Sequence, residues 1–307
     1  MPGAPSAAPD RRLTRAKSGK LLQVHDDELY RLPPDHPGAG DTAYRCRRAA
    51  IASALAEYRQ GDEIPLVEYT AEEDAVWSLV AGELAERHER LACHAYLEAA
   101  ARLPLPADRV PQLRDVDAGL SRASAFRLRP VAGLVPTDEF YASLAGRSFL
   151  STQYIRHHST PYYTPEPDIV HEILGHARAL AGEPFALLYE AAGRAWLRAR
   201  TPEAKDFFSR VFWFSLEFGV VLEAGEPKAY GAGLLSSFGE IESFRQAEIR
   251  PFDLAAMGSE PYDITHYQHV LFAAPSFEQV SAELLAFFES FESGRPALPA
   301  SGGRRSA

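Results

Sequence analysis

The sequence predicts a mostly α single domain carrying a few short β-strands. Three observations lead there. Six stretches, 41–58, 71–101, 169–181, 184–200, 202–223 and 276–290, read as helices. Candidate strands are short and few: 126–128, 249–252 and 269–273. The chain has 307 residues, 46% of them hydrophobic, and no repeat, which suits one large core.

The first helical stretch, 41–58, is rich in Ala and Arg and lacks Gly and Pro until Gly61. In 71–101, Val76, Leu79, Val80, Leu84, Leu91 and Ala95 recur near helical spacing. Thr70-Ala71-Glu72-Glu73 forms a capping-box pattern at its start, and Pro104-Leu105-Pro106 stops it. Between Arg129 and Thr164 we expect long functional loops. Residues 1–20 and 294–307, rich in small, polar and basic residues, are expected to be disordered tails flanking a folded domain at 21–293. The net charge of −10 argues against a nucleic-acid footprint. Cys46 and Cys93 form no CxxC pair, which argues against a disulfide scaffold or zinc-thiolate site and suits a cytoplasmic protein. No apolar run reaches the roughly 18 residues of a membrane span, and the first residues lack a signal-peptide core.

The most informative segment is Thr164-Pro165-Glu166-Pro167-Asp168-Ile169-Val170-His171-Glu172-Ile173-Leu174-Gly175-His176. It sets two histidines five residues apart on a helix entered from a proline-rich turn. Residues i and i+5 of a regular α-helix diverge by roughly 140°. A local π-helical widening brings both rings to one metal, and such widenings are often found at functional sites. The spacing argues against a zinc protease, whose histidines stand four apart. The alternative is a pair of ordinary capped or core histidines. Glu217 stands in Trp213-Phe214-Ser215-Leu216-Glu217-Phe218-Gly219, an otherwise apolar run. A carboxylate there is either paired with an arginine or bound to a metal. Two histidines and one carboxylate are the facial triad of non-heme Fe(II) oxygenases.

Further stretches extend the pattern. They are Asp35-His36-Pro37-Gly38, Ile64-Pro65-Leu66-Val67-Glu68-Tyr69-Thr70, Phe126-Arg127-Leu128-Arg129-Pro130-Val131-Ala132-Gly133-Leu134, Thr152-Gln153-Tyr154-Ile155-Arg156-His157 and Lys228-Ala229-Tyr230-Gly231-Ala232-Gly233-Leu234-Leu235-Ser236-Ser237-Phe238-Gly239-Glu240. On these and the histidine motif, nearly the whole chain resembles the pterin-dependent aromatic amino acid hydroxylases, in their short bacterial phenylalanine 4-hydroxylase form. There is no room for the family's N-terminal regulatory domain and no heptad run for its tetramerisation helix, so a monomer is expected.

The resemblance implies Fe(II) on His171, His176 and Glu217, and a tetrahydropterin stacked on Phe140, with Val135, Thr137, Glu172 and Phe212 around it. Val135 replaces a usual Leu, Pro136-Thr137 a polar pair, and Phe212 a frequent Tyr. It also implies that Arg156 grips the amino acid's carboxylate, a group that suits a guanidinium fork. Tyr163, Thr164, Gly233 and Ser236 neighbour the amino acid, Trp213 and Phe218 wall its ring, and Ala273 borders the ring pocket. Asp168 and Ser236 are candidates for orienting the ligand histidines. Plainer readings stand beside these. Asp168 suits a helix N-cap, Arg156 a structural ion pair with Asp168 or Glu166, Glu172 a surface helix acid, and Phe140 a core position. His157-His158 and His266/His269 carry no metal on this reading. The implied activity is ring hydroxylation of L-phenylalanine to L-tyrosine with O2. The rivals are tryptophan at the 5-position, tyrosine, or phenylalanine at the meta position, and, from another class, a non-catalytic metal-binding protein. Only small-molecule partners are expected: the amino acid, O2 and the pterin, with no nucleic acid and no membrane.

Overall fold

The computed structural model describes residues 32–264 and 266–292, so the tails expected at 1–20 and 294–307 lie outside the described residues. The chain is mostly helical with six short strands among the described residues, as the sequence predicts. Helix α1 (Thr42–Ser53) is shorter than the 41–58 stretch, and Asp41 caps it by accepting the Tyr44 N–H. Helix α2 (Ala71–Leu91) starts with the expected capping box, in which Thr70 and Glu73 satisfy each other's backbone N–H groups. It buries Val76, Trp77, Val80, Leu84 and Leu91. Leu79 lies outside that stripe and is exposed.

The 71–101 stretch is not one helix. It breaks at Ala92 and Cys93, where the Cys93 N–H donates to the Ala229 carbonyl. Cys93 then caps α3 (His94–Ala101). A bond to a distant strand outweighs one more helical turn, which periodicity alone does not reveal. Helix α4 (Leu113–Ser124) has a strong apolar face, but its two aspartates and Gly119 dilute the sequence signal. One of them, Asp117, is buried and accepts from Arg127 and from the Leu128 N–H, tying α4 to β1 (Arg127–Pro130).

The region between Arg129 and Thr164 is also more ordered than expected. It holds α5 (Thr137–Leu144) and β2 (Ser148–Ser151), and β2 pairs in parallel with β1. A π-helical turn, His171–Ala177, then runs into α6 (Arg178–Leu180). Helix α7 (Glu183–Arg198) packs on α5, and α8 (Pro202–Phe212) continues into a second π-helical turn, Trp213–Glu217. The helix expected to reach residue 223 therefore ends at 217. Val220–Glu223 forms β3, consistent with β-branched side chains at 220 and 221.

A four-stranded sheet follows in the order β4-β3-β6-β5, where β4 is Glu226–Ala229, β5 Glu248–Pro251 and β6 Val270–Ala274. Only β4 runs antiparallel to its neighbour. Between β4 and β5 lie α9 (Ala232–Ser236) and α10 (Phe238–Ser243). Helix α11 (Leu254–Ser259) precedes β6, and α12 (Phe277–Ser290) closes on α7. No helix among the described residues is long and apolar enough to cross a membrane.

The α5–α7 crossing is closed by Gly193. A Cβ placed there would lie 2.2 Å from the Ala145 nitrogen and 2.7 Å from the Leu144 carbonyl carbon. Backbone cannot yield as a flexible side chain would. Gly193→Ala is expected to destabilise the protein by about 1–3 kcal/mol despite alanine's better helix propensity. The midpoint of urea unfolding should fall accordingly, and an unchanged midpoint would show that the crossing relaxes freely.

Candidate metal and substrate site

The five-residue histidine spacing is resolved by the helix type. Across His171–Ala177 the backbone is π-helical, so one additional residue fits in the turn and both rings face the same side. Their Nε2 atoms stand 2.9 Å apart. Glu217 arrives from the second π-helical turn, with Oε1 3.3 Å from His176 Nε2 and Oε2 4.0 Å from His171 Nε2. One donor atom from each of the three residues lies within 4.8 Å of the others.

Each ring is held through its other nitrogen. His171 Nδ1 lies 2.8 Å from Ser236 Oγ, and His176 Nδ1 lies 2.8 Å from the Tyr189 hydroxyl. Ser236 Oγ in turn donates to the Ala232 carbonyl on α9. Burial holds His171 down at about 4 and His176 well below the usual imidazole range, so both rings are neutral at pH 7. Burial also lifts the Glu217 carboxyl to about 8. Glu217 has no Lys or Arg partner among the described residues. Two neutral imidazoles and an uncompensated carboxylate fit a divalent cation.

Asp168 holds the entrance of the π turn. It is fully buried, accepts from Nε and Nη2 of Arg156 at 2.9 and 2.8 Å, and takes the Arg156 N–H at 2.8 Å. It also accepts the His171 N–H at 3.3 Å. Its bonds thus run to Arg156 and the helix start, while Ser236 supports the His171 ring. Burial would raise the Asp168 carboxyl, but the Arg156 charge and these bonds outweigh it and hold the pKa low. Glu166 is held elsewhere, by Arg48 and, at 3.3 Å, by His36 Nε2.

Glu172 is not a surface acid. It is 6% exposed, burial raises its carboxyl well above the ordinary range, and Thr152 Oγ1 lies 3.5 Å away. Phe140 is half-buried on α5, edge-on to Phe149 and Phe212. Phe212 is fully buried behind it. Val135 is partly buried, while Thr137 and Tyr163 are exposed. Thr164 donates to the Glu166 carbonyl. Trp213 is clamped by Phe218, by a stacked Tyr262 and by Gln268, whose Oε1 accepts its indole N–H at 3.0 Å. Gly233 lies against Phe218, where a Cβ would come within 2.6 Å of the ring. Ala273 is buried on β6, in register with Val220 of β3 and Pro251 of β5.

Tyr189, Gln268 and Tyr262 carry no signature in the sequence. Tyr189 reaches His176 only because α7 folds back over the π turn, a contact across 13 residues. His266, one of the histidines read as plain, pairs with Asp263 at 3.1 Å.

The Biopterin-dependent aromatic amino acid hydroxylase family model matches residues 20–295. The chain belongs to this family. It is 44% identical over 271 residues to the phenylalanine 3-hydroxylase of Streptomyces coeruleorubidus, covering 88% of this chain and 97% of that one. It is 46% identical over 259 residues to the tyrosine 3-monooxygenase of Homo sapiens, covering 82% of this chain and 49% of that protein. The chain therefore spans about half the length of that relative. Among solved structures, phenylalanine hydroxylase from Chromobacterium violaceum with bound iron (III) and 7,8-dihydrobiopterin superposes with a TM-score of 0.70 at 28% identity, covering 83% of this chain and 96% of that one.

The buried Asp168–Arg156 pair yields a prediction independent of chemistry. Asp168→Asn leaves a buried guanidinium uncompensated and should cost about 3–5 kcal/mol. Because the folded carboxyl sits below its ordinary 3.8, this contribution is complete above that pH and is lost only as pH falls through the lower folded value. Urea unfolding of both proteins at neutral pH measures it. A loss under 1 kcal/mol would mean that the arginine finds water or another partner.

Proposed function

We propose that this chain is an iron-dependent, tetrahydropterin-dependent monooxygenase that hydroxylates the ring of L-phenylalanine at carbon 4, giving L-tyrosine. The observation that carries the metal assignment is the His171–His176–Glu217 cluster, with both rings neutral and the carboxylate lacking any other cation. On this reading the three residues hold Fe(II), and the iron with the pterin supplies the activation of dioxygen. On this reading the catalytic unit expected at 21–293 contains all the described residues.

The chain's own groups then have separable tasks. Ser236 and Tyr189 fix the two rings so that each presents Nε2. Phe140 offers an aromatic face for the flat pterin, backed by Phe149 and Phe212, with Val135, Thr137 and Glu172 beside it. Arg156 grips the amino acid's carboxylate. Asp168 takes Nε and Nη2, and Pro161 accepts from Nη1 at 3.4 Å, which leaves one N–H on each terminal nitrogen for a bidentate bond. Trp213 and Phe218 flank the ring, with Thr164, Tyr163, Gly233 and Ala273 around it. Carbon 4 is the ring atom farthest from the gripped carboxylate, so a substrate held at that end presents it first. A second reading is hydroxylation at carbon 3, favoured by the 44% identity to a phenylalanine 3-hydroxylase of nearly equal length.

The test is turnover with phenylalanine, tyrosine and tryptophan, Fe(II) and tetrahydrobiopterin, with products separated by position. Para-tyrosine supports the first reading, meta-tyrosine the second, and no hydroxylation of phenylalanine overturns both. His171→Ala, His176→Ala and Glu217→Ala should each abolish turnover, and full activity would remove that residue from the ligand set.

Metal uptake should depend on pH in one direction. The histidines are already neutral, while Glu217 is protonated below about 8 and must lose its proton to bind a cation. From about pH 6 to pH 8, binding should release close to one proton, and affinity should rise up to about tenfold per pH unit, then level off. Calorimetry with Co(II) in buffers of different ionisation enthalpy reads the proton directly. A flat affinity over that range would mean the carboxyl is already ionised.

A further inference from the structure

A second histidine and carboxylate cluster lies beside the Arg156 segment, with its two rings tilted against each other rather than perpendicular as in the first. Asp41, His157 and His158 each offer a donor atom, all within 4.8 Å of one another. Asp41 Oδ2 stands 3.3 Å from His157 Nε2, the same spacing as Glu217 Oε1 to His176 Nε2. His157 Nδ1 lies 2.7 Å from Ser159 Oγ and accepts the Ser159 N–H at 3.3 Å, which leaves the ring proton on Nε2, facing Asp41. His158 Nδ1 lies 3.1 Å from Glu72 Oε2. A carboxylate on the far nitrogen of an imidazole is a frequent support for a metal-bound histidine. The two rings lie against each other, centroids 4.3 Å apart and tilted by 32°.

The charge balance points the same way. The neighbouring acids Glu166 and Asp168 are taken by Arg48 and Arg156. Asp41 and Glu72 have no Lys or Arg partner among the described residues; their side-chain partners are the two histidines, and Asp41 also accepts the Tyr44 N–H. Two carboxylates set against two imidazoles make a site of formal charge −2, which a divalent cation neutralises. Imidazole donors select Zn(II), Co(II) or Ni(II) over Mg(II) or Ca(II).

We propose that Asp41, His157 and His158, with Glu72 supporting His158, bind a second divalent transition-metal ion, separate from the His171–His176–Glu217 cluster. Such an ion joins three elements: the start of α1 through Asp41, the first turn of α2 through Glu72, and the segment that follows Arg156. Binding displaces the proton that His157 Nε2 directs at Asp41. It clamps the segment carrying Arg156 to two helix starts, and so couples metal supply to the rigidity of that arginine's neighbourhood.

The test is equilibrium dialysis of the tag-free chain against Co(II), with Mg(II) in parallel. The wild type should hold two Co(II) per chain and no Mg(II). His158→Gly, which truncates a largely exposed side chain, should hold one, and so should Asp41→Asn, which retains the ability to cap α1. The double variant His171→Ala/His176→Ala should also hold one, and lose it when His158→Gly is added. If that double variant does not fold, the fall from two to one in His158→Gly decides alone. A wild type holding one Co(II) that His158→Gly leaves untouched overturns the proposal while sparing the iron assignment. A wild type holding one that His158→Gly removes supports this site and sinks the other.

Discussion

The arrangement turns on a single backbone irregularity used twice. Both segments that carry the donor triad leave α-helical geometry for a π-helical turn at the point where the donors project. Widening a helix by one residue costs hydrogen-bond quality, so the turns need support from outside. Helix α9 packs on both of them, and its backbone comes close because the facing residues are small. A Cβ on Gly175 would sit 2.7 Å from the Ala232 carbonyl oxygen, and one on Gly231 would sit 2.4 Å from that of Glu217. The same short helix supplies Ser236 to the His171 ring. Placement of the two histidines and the glutamate is therefore one packing problem.

The polar groups around this centre are dealt with by pairing or by neutralisation. Asp168 stays charged because Arg156 faces it with two nitrogens and the backbone adds further bonds. Glu172 and Glu217 have no such partner, and burial favours their protonated forms. Glu240 is a milder case. The Gln268 N–H donates to it at 2.7 Å, yet burial still lifts its carboxyl to about 7. Gln268 in turn holds the Trp213 indole, so the aromatic wall is anchored through a buried acid on α10.

What the sequence revealed depended on the range of the interaction. The histidine spacing required a widened helix, and one is present, because that argument involves only local geometry. The capping box at Thr70 was equally legible. Long-range contacts were not. Cys93 bonds to Ala229 and splits a helix that periodicity would continue. The α5 segment is too short for a periodic signal and is held by its packing on α7. A surface acid stood as the plainer alternative for Glu172 because nothing in the neighbouring residues shows that the chain at Thr152 covers it. The support of His176 by Tyr189 depends on a helix folding back, and only the tertiary structure contains it.

The glycines behind the donor cluster and the alanine on β6 are confined by different neighbours. Gly175, Gly231 and Gly233 face backbone or a ring at distances where any side chain must displace the triad or Phe218. Ala273 is confined differently: it is buried on β6, whose backbone pairs on both sides and packs against the second π-helical turn. Exchanges on β6 therefore press directly on the strand and turn that deliver Glu217, because Ala273 pairs with Val220 just beyond that turn.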